Sequence, residues 1–276
     1  MNKTSIIPTI LSLILASCTI LNPGTVGTRD EPYSQSSNTS LTIFTAASLV
    51  EPFSEIGNLF ESQNPGVELV FNFAGSQQLS HQLAQGAPSD VFASADTRQM
   101  DEIVQTGRIN AQSPQTFTHN QLVVIFPPKN PAGIQILKDL SKPGLKLVLA
   151  DEAVPVGNYS FEFLTKAAQT PEFDSDFEQK VIANVVSYEA NVKAVLSKVL
   201  LGEADAGIVY TSDITDHNAN QIGSIQIPQE LNVLADYVIA PLEDTQQPDL
   251  VNDFIAFILS PEGQQTLSKH GFITVK

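Results

Sequence analysis

Apolar and polar positions alternate in two distinct ways along the chain from Leu41 onward. Short, nearly continuous apolar runs have the length and composition of strands, whereas longer stretches carry apolar residues three or four positions apart, as helices do. The predicted strands are 41–47, 66–74, 90–94, 121–126, 145–150, 206–210 and 236–240. The predicted helices are 49–63, 77–85, 97–106, 192–201, 250–259 and 261–270. This alternation predicts an α/β fold with mainly parallel sheets.

Local signals support several of these elements. Gly86 and Gly107 close two of the helices, and Ser260 followed by Pro261 is a favoured start for the last one. The apolar runs 121–126 and 145–150 suit parallel strands that are buried on both faces. A body of roughly 235 residues exceeds the usual size of one hydrophobic core, so we expect two lobes.

The N-terminus has the pattern of a lipoprotein leader. Lys3 precedes an apolar stretch from Ile6 to Ala16, which is too short to span a bilayer comfortably. Small residues then lead to Cys18, the only cysteine in the chain. This resembles the bacterial lipobox, so residues 1–18 are predicted to be a signal peptide and Cys18 the lipidated residue; an ordinary secretory signal is the alternative. Residues 19–40, rich in Gly, Pro, Ser, Thr and Asn, are predicted to form a flexible tether to the membrane.

The composition predicts a folded body and disfavours two classes of binding partner. Hydrophobic residues make up 42% and charged residues 16% of the chain, which is enough apolar material for a real core. The formal net charge of −16 makes nucleic acid and anionic membrane surfaces poor partners.

Candidate chemistry lies in the turns between strands and helices, because ligands of open α/β sheets bind at the carboxyl ends of strands. Ser48 follows the first strand with Glu51 three residues later, a spacing that fits either a helix N-cap or a hydroxyl facing an anion. Ser76 repeats the pattern directly after Gly75. A second hydroxyl at a second helix start strengthens the anion interpretation.

Three further turns extend the pattern. Residues 154–159, including Val156, suit exposed backbone N–H groups at a helix start, and Asn191 is a favoured N-cap before Val192. Tyr210 ends a strand, where its phenol could donate to a ligand or lie half-buried in the core. These five turns contain neither Arg nor Lys. Uncharged donors and helix dipoles can hold a dianion in a water-poor cleft, and a site with donors only disfavours hydrogen phosphate by roughly 1–3 kcal/mol.

Taken together, these segments resemble the periplasmic molybdate-binding proteins of ABC transporters, within the type II periplasmic-binding-protein fold. The similar stretches occur in family order and are AASL (46–49), FAGSQQL (73–79), QGAPSDVFASAD (85–96), NQLVVIFP (120–127), VPVGNY (154–159), EANV (189–192), GEADAGIVYTSD (202–213) and SPEGQQTLSKHGF (260–272). The resemblance implies two α/β lobes, 41–120 plus 234–276 and 121–233, with a ligand cleft between them.

The resemblance also implies the ligand and its contacts. The ligand would be molybdate or tungstate, with the metal present only as the oxyanion and with no cofactor. Its contacts would be the hydroxyls of Ser48, Ser76 and Tyr210 and the backbone N–H groups of Val156 and Val192. The chain would act as an exported, lipid-anchored monomer that delivers the oxyanion to an ABC permease. Two positions depart from the family pattern: Gln77 replaces a frequent serine, and Val156 replaces a common alanine.

Other functions are weighed against this one. An enzyme is disfavoured because nucleophile-elbow, P-loop, zinc-protease and Rossmann motifs are missing and the four histidines are scattered. Sulfate and thiosulfate remain alternative ligands of the same chemistry. Ferric iron would need clustered tyrosines and carboxylates, and the five tyrosines are dispersed. A regulatory sensor domain fits poorly with an export signal.

Overall fold

A computed structural model describes residues 39–275 of the chain. The predicted leader with Cys18 and the predicted tether as far as residue 38 lie outside the described residues. The first strand begins at Thr39, so the last two residues assigned to the tether belong to that strand. Within the described range, no helix is both long and apolar enough to cross a membrane.

The first sheet has six strands and combines both ends of the described chain. Its strands, numbered along the chain, are β1 (Thr39–Ala46), β2 (Val67–Ala74), β3 (Val91–Ser94), β4 (Gln115–Asn120), β10 (Ala235–Pro241) and β11 (Ile273–Thr274), in the order β11-β4-β10-β3-β1-β2. β1 is parallel to β2 and β3, whereas β10 is antiparallel to β3 and β4. The parallel strands therefore bring their carboxyl ends, near Ala46, Ala74 and Ser94, to one edge of the sheet.

The second sheet is formed by the middle of the chain. Its strands are β5 (Leu122–Phe126), β6 (Leu147–Ala150), β7 (Val185–Glu189), β8 (Ala206–Tyr210) and β9 (Gly223–Gln226), in the order β7-β6-β8-β5-β9. β6 is parallel to both neighbours, as predicted, but β5 is antiparallel to β8 and β9, so the prediction of a parallel strand at 121–126 is wrong. A continuous apolar run reports burial on both faces, which does not depend on strand direction.

Eight helices are present in the described residues, and six of them were predicted to within two residues at each end. The helices are α1 (Val50–Gln63), α2 (Ser76–Ala84), α3 (Thr97–Gln105), α4 (Pro155–Ala168), α5 (Phe177–Ala183), α6 (Val192–Leu200), α7 (Pro248–Leu259) and α8 (Pro261–Lys269). Only the start of α4 was foreseen and α5 was missed, as were β4, β7, β9 and β11. The predicted cap of α8 is confirmed, because the Ser260 hydroxyl accepts from the Gly263 N–H at 3.2 Å.

An aromatic cluster anchors α1 and α7 against the first sheet. The Phe53 ring lies edge-on to Phe71, Phe117 and Phe254, with centroids 5.8–6.3 Å apart. Such pairs contribute about 0.5–1.5 kcal/mol each beyond the area that they bury. The core therefore holds α1, and with it the turn at Ser48, in a fixed position at the edge of the sheet.

The chain passes between the two sheets twice. It leaves the first sheet after Asn120, enters the second at Leu122, leaves it at Gln226 and returns to the first sheet at Ala235. Each sheet carries its own helices: α1, α2, α3 and α7 contact strands of the first, and α4 and α6 contact strands of the second. Elements of both sheets approach each other around the carboxyl ends of their strands.

Candidate functional site

A small cavity lies where the strand ends of the two sheets meet. It encloses about 220 Å³ of empty space, part of it open to solvent. All five residues predicted to contact a ligand, Ser48, Ser76, Val156, Val192 and Tyr210, line this cavity. The remaining lining residues are small, apolar or amide-bearing: Ala46, Ala47, Gly75, Ala95, Val154, Pro155 and Asn191. The structure thus brings together positions that are spread over more than 160 residues of sequence.

Three helices direct their N-termini at the cavity. Ser76 is the first residue of α2, Val156 the second of α4 and Val192 the first of α6. The first N–H groups of a helix have no intrahelical acceptor, and the helix dipole places about half a positive charge there. Asn191 uses its side chain to cap the Ala194 N–H at 3.0 Å, which leaves the Val192 N–H for another acceptor. The backbone thus makes this cavity electropositive without a cationic side chain.

Ser48 does not cap α1, so the N-cap interpretation is wrong. Residues Ala47–Leu49 form a separate 3-10 turn, and α1 begins at Val50 with no side-chain cap. The Ser48 hydroxyl instead lies 2.8 Å from the phenol oxygen of Tyr237 on β10. Pro52, which has no N–H to donate, occupies the third position of α1, where a backbone donor is not needed. Because the Ser48 hydroxyl does not cap a helix, it remains part of the cavity lining.

The Ser76 hydroxyl is oriented by the neighbouring strand end. Its oxygen accepts a hydrogen bond from the Ala95 N–H at 3.0 Å. A serine hydroxyl carries one hydrogen and two lone pairs, so Ser76 keeps its hydrogen for a second partner. Because Ser76 is 1% exposed and lines the cavity, that hydrogen can serve a ligand.

Tyr210 presents a buried phenol whose oxygen has no hydrogen-bond partner among the described residues. Its side chain is 1% exposed, and the residue lines the cavity. Burial, followed by the charges of Tyr237, Tyr159, Asp96 and Asp213, raises the pKa of Tyr210 well above its ordinary value, so the phenol is a protonated donor at neutral pH. A native protein rarely leaves such a group unsatisfied, which points to a ligand that accepts this hydrogen.

Charged side chains stand one layer behind the cavity wall. Of the lining residues within the described part of the chain, none is Lys, Arg, His, Asp or Glu. Lys193, next to Val192, is paired with Glu51 at 2.9 Å and with the fully buried Asp213 at 3.2 Å. Burial raises the pKa of Asp213, while Lys193 and the Tyr210 N–H act in the opposite direction. The site therefore offers hydrogen-bond donors instead of a net positive side-chain charge.

Direct contacts join the two sides around the cavity. The Gln77 carboxamide donates to the Ala190 carbonyl at 2.8 Å, and the Arg98 guanidinium donates to the Glu152 and Ala153 carbonyls at 3.1 and 2.9 Å. Lys193 reaches Glu51 from the opposite sheet. These contacts hold the two sides together beside the cavity.

Sequence reasoning missed the residues that act through others. Tyr237 belongs to a strand whose local pattern indicates only burial, and it is 189 positions from its partner Ser48. Asn120 ends β4, which was not predicted. Gln77 was noticed as a departure from a family pattern, but its contact across the cavity was not foreseen. Lys193 gave no local signal, because its partner Glu51 is 142 positions away in the sequence and the burial of its other partner, Asp213, depends on the fold.

Two kinds of comparison place the chain among known proteins. The family model described as bacterial extracellular solute-binding protein matches residues 41–273. The molybdate-binding protein ModA of Mycobacterium tuberculosis (strain ATCC 25618 / H37Rv) is 38% identical over 233 residues, which is 84% of this chain and 84% of that protein.

Solved structures share the fold. The substrate-binding domain of a putative molybdenum ABC transporter from Clostridium difficile has a TM-score of 0.65 and 27% identity, covering 86% of this chain and all of that one. The sulfate-binding protein SubI of Mycobacterium tuberculosis H37Rv has a TM-score of 0.77 at 16% identity, covering 86% of this chain and 88% of that one, and this likeness concerns the fold alone. The predicted class, an α/β fold of the type II periplasmic binding proteins, is confirmed. The prediction that its sheets are mainly parallel is wrong, because five of the nine strand pairs in the described residues are antiparallel.

Proposed function

The chain belongs to the family of bacterial extracellular solute-binding proteins, and from that premise we propose that it captures molybdate or tungstate for an ABC importer. The mycobacterial relative, 38% identical over 84% of both chains, is a molybdate-binding protein. The cavity is small, and its wall supplies the donors that a fully deprotonated tetrahedral oxyanion needs on every side.

One observation carries this proposal: hydroxyls and helix N-termini from both sheets converge on one cavity that charged side chains of the described residues do not line. An anion in such a cavity accepts hydrogen bonds from all directions. Hydrogen phosphate would also need an acceptor for its proton, and an unsatisfied buried donor costs about 1–3 kcal/mol. Donors without acceptors therefore favour molybdate, tungstate or sulfate over phosphate.

We propose that the ligand contacts are the hydroxyls of Ser48, Ser76 and Tyr210 and the N–H groups of Val156 and Val192. The unpartnered Tyr210 phenol and the free hydrogen of Ser76 support these roles. The net charge of −16 does not oppose them, because dipoles in a closed, water-poor cavity act over short distances while the distant charges are screened.

Delivery requires a form that the transporter can recognise. We propose that residues 41–120 plus 234–276 form one lobe and 121–233 the other, and that the lobes close about the two crossing segments when the anion binds. The contacts of Gln77, Arg98 and Lys193 would hold this closed form. An N-terminal lipid anchor at Cys18 would keep the monomer beside its permease on the exported side of the membrane.

Thermal unfolding tests the ligand assignment. A ligand that binds only the native state raises the melting temperature, so micromolar molybdate or tungstate should stabilise the protein by several degrees. Phosphate at the same concentration should have little effect, because its proton would lack an acceptor. Sulfate is the second candidate, because it is also fully deprotonated at neutral pH. If sulfate raised the melting temperature as much as molybdate does, the assignment of molybdate as the ligand would be wrong, but the family assignment would stand.

A further inference from the structure

The side chain of Gln77 reaches from the first sheet to the second beside the cavity. Its Nε2 donates to the Ala190 carbonyl at 2.8 Å. Gln77 is the second residue of α2, which packs on the first sheet, whereas Ala190 lies between β7 and α6 of the second. A serine, frequent at this position in the family that the sequence resembles, is too short to reach this carbonyl. The contact is therefore made possible by the glutamine that this chain carries.

The Ala190 carbonyl fixes the orientation of the Gln77 carboxamide. A carbonyl oxygen can only accept, so the NH₂ group must face it. The other end of the carboxamide, Oε1, is buried and has no hydrogen-bond partner among the described residues. Both ends lie close to Gly75, since a β-carbon on Gly75 would be 2.5 Å from Oε1 and 2.7 Å from Nε2. Because Gly75 lines the cavity, the carboxamide covers this part of the cavity wall.

The bond also connects two of the proposed ligand donors. Ser76, whose hydroxyl hydrogen is free for a ligand, directly precedes Gln77. Val192, whose N–H begins α6, follows Ala190 by two positions. The side chain of Asn191 caps the first turn of α6 and so holds this short segment in place. The Gln77 bond therefore sets the distance between a donor on one sheet and a donor on the other.

The unpartnered Oε1 makes this bond easy to open. When the two sheets separate, water can bind both ends of the carboxamide. In the arrangement of the structure, Nε2 gains the Ala190 carbonyl but Oε1 has lost its water. An unsatisfied buried acceptor offsets part of what a hydrogen bond contributes. Such a bond holds the two sheets together for a limited time without locking them.

We propose that Gln77 is a positioning residue that sets how long the bound oxyanion is retained. Its bond to Ala190 forms after the anion has entered between the two sheets, and it must break before the anion leaves. This inference rests on the proposed function, since it concerns the same cavity and the same closure. Gln77 is not one of the described residues that line the cavity, so it acts through Ser76 and Val192. It governs release of the anion and not its capture.

The variant Gln77→Met keeps an unbranched side chain of similar length and removes the donor. Protein loaded with isotopically enriched molybdate is mixed with an excess of ordinary molybdate, and mass spectrometry follows the isotope that stays bound. We expect release to become about fivefold faster, the effect of one lost hydrogen bond. The association rate should not change, because the bond forms only after the anion has entered. An unchanged release rate would overturn the proposal.

The matched control is Gln82→Met on the same helix. Gln82 is exposed, and its carboxamide oxygen accepts from Asn72 at 3.2 Å, a contact that stays on the first sheet. This substitution should alter neither rate. If Gln77→Met slowed association and lowered the melting temperature of the ligand-free protein well beyond the control, the role of Gln77 would be structural and the proposal wrong.

A second variant covers the case in which Gln77→Met does not fold. Gln77→Ser introduces the residue that is frequent in the family, and its hydroxyl cannot reach Ala190. Release from this variant should be faster by a similar factor, again with an unchanged association rate. Release as slow as from the native protein would contradict the role of the Gln77 carboxamide.

The proposed function and this inference fail in different ways. If the native protein retains sulfate but not molybdate, the proposed ligand is wrong, and the same exchange with labelled sulfate still tests Gln77. If the native protein retains molybdate and neither variant releases it faster, only the inference is wrong. A native protein that binds no oxyanion would overturn both.

Discussion

Gly75 and Ala190 meet across the cavity entrance so closely that a β-carbon on Gly75 would lie 2.5 Å from the Ala190 carbonyl oxygen. Gly75 precedes α2 on the first sheet, and Ala190 follows β7 on the second. Only a residue without a side chain permits this approach. The contact brings the N-termini of α2 and α6 to the same cavity.

Gly75→Ala should therefore weaken molybdate binding, because the two sides must separate by about 1 Å to reach an ordinary contact distance. We expect a loss of roughly tenfold or more, since hydrogen bonds to the anion leave their normal range. Calorimetric titration measures the affinity, and the melting temperature of the ligand-free protein should change little. The β-carbon would also meet the Gln77 side chain, so Gln77→Ala is combined with it as a control. If that combination restores affinity, the backbone contact is not the cause.

Tyr210→Phe should separate binding from stability. The phenol has no partner among the described residues, so its removal costs the ligand-free protein nothing and relieves a buried unsatisfied group. We expect the affinity for molybdate to fall by about 1.5–3 kcal/mol, the value of a hydrogen bond to a charged group. Urea unfolding without ligand should show equal or higher stability.

The matched control for Tyr210→Phe is Tyr237→Phe, which breaks the 2.8 Å bond to Ser48. This control should lower the free energy of unfolding by about 1 kcal/mol. A loss of stability in Tyr210→Phe as large as in the control would mean that the Tyr210 phenol is satisfied within the protein and is not a ligand donor.

The sequence predicted the elements of this fold better than their relationships. Most helices and strands follow local periodicity, which burial imposes on any sequence that forms them. The direction of β5 was wrong because burial on both faces does not reveal the partner strand. Ser48 was assigned a capping alternative because Glu51 follows three positions later, yet its partner is Tyr237, 189 positions away. Contacts over such separations leave no periodic trace in one sequence.

The turns of the site were predictable for a physical reason. Helix starts favour small polar residues and Pro, and the same backbone N–H groups that those residues expose are what an anion needs. Residues such as Gln77, Lys193 and Asn120 lack this signal, because their roles depend on which turns of the other sheet face them.

Lys193→Met should destabilise the protein through a buried charge. Asp213 is 0% exposed and lies 3.2 Å from the Lys193 ammonium. Removing one member of a buried pair leaves the other uncompensated, at a cost of about 3–5 kcal/mol. The double variant with Asp213→Asn should recover most of this loss, because an asparagine oxygen can still accept the Tyr210 N–H that Asp213 binds at 3.0 Å. Urea unfolding of both variants measures the difference, and a double variant no more stable than Lys193→Met would refute this explanation.

Asp96→Asn should change the pH dependence of stability. Burial raises the pKa of Asp96 above its ordinary value of 3.8. The Gln99 N–H, which donates to the Asp96 carboxylate at 2.9 Å, and the charge of Arg98 both lower this pKa, but by less than burial raises it. A carboxyl whose pKa is raised by folding does not destabilise the native state while it is protonated. The destabilisation develops as pH rises towards the raised pKa and the group loses its proton. The asparagine keeps the cap without the charge, so the advantage of the variant in free energy of unfolding should grow as pH rises above the ordinary carboxyl pKa of 3.8.

Asp174→Asn provides the control of opposite sign. A hydrogen bond from Lys138 lowers the pKa of Asp174. The Asp174 carboxylate therefore stabilises the native state at neutral pH, and this stabilisation is lost as pH falls. Unfolding by urea at several pH values compares the two variants. If the gain in free energy of unfolding from Asp96→Asn did not change with pH, that result would contradict a raised pKa for the buried Asp96 carboxyl.

Calorimetric titration of the unmodified protein with molybdate, tungstate, sulfate and phosphate tests most directly whether uncharged donors select a fully deprotonated oxyanion. We expect one site per chain, comparable binding of molybdate and tungstate, and binding of phosphate that is weaker by about tenfold or more. Phosphate binding as tight as molybdate binding would contradict this expectation.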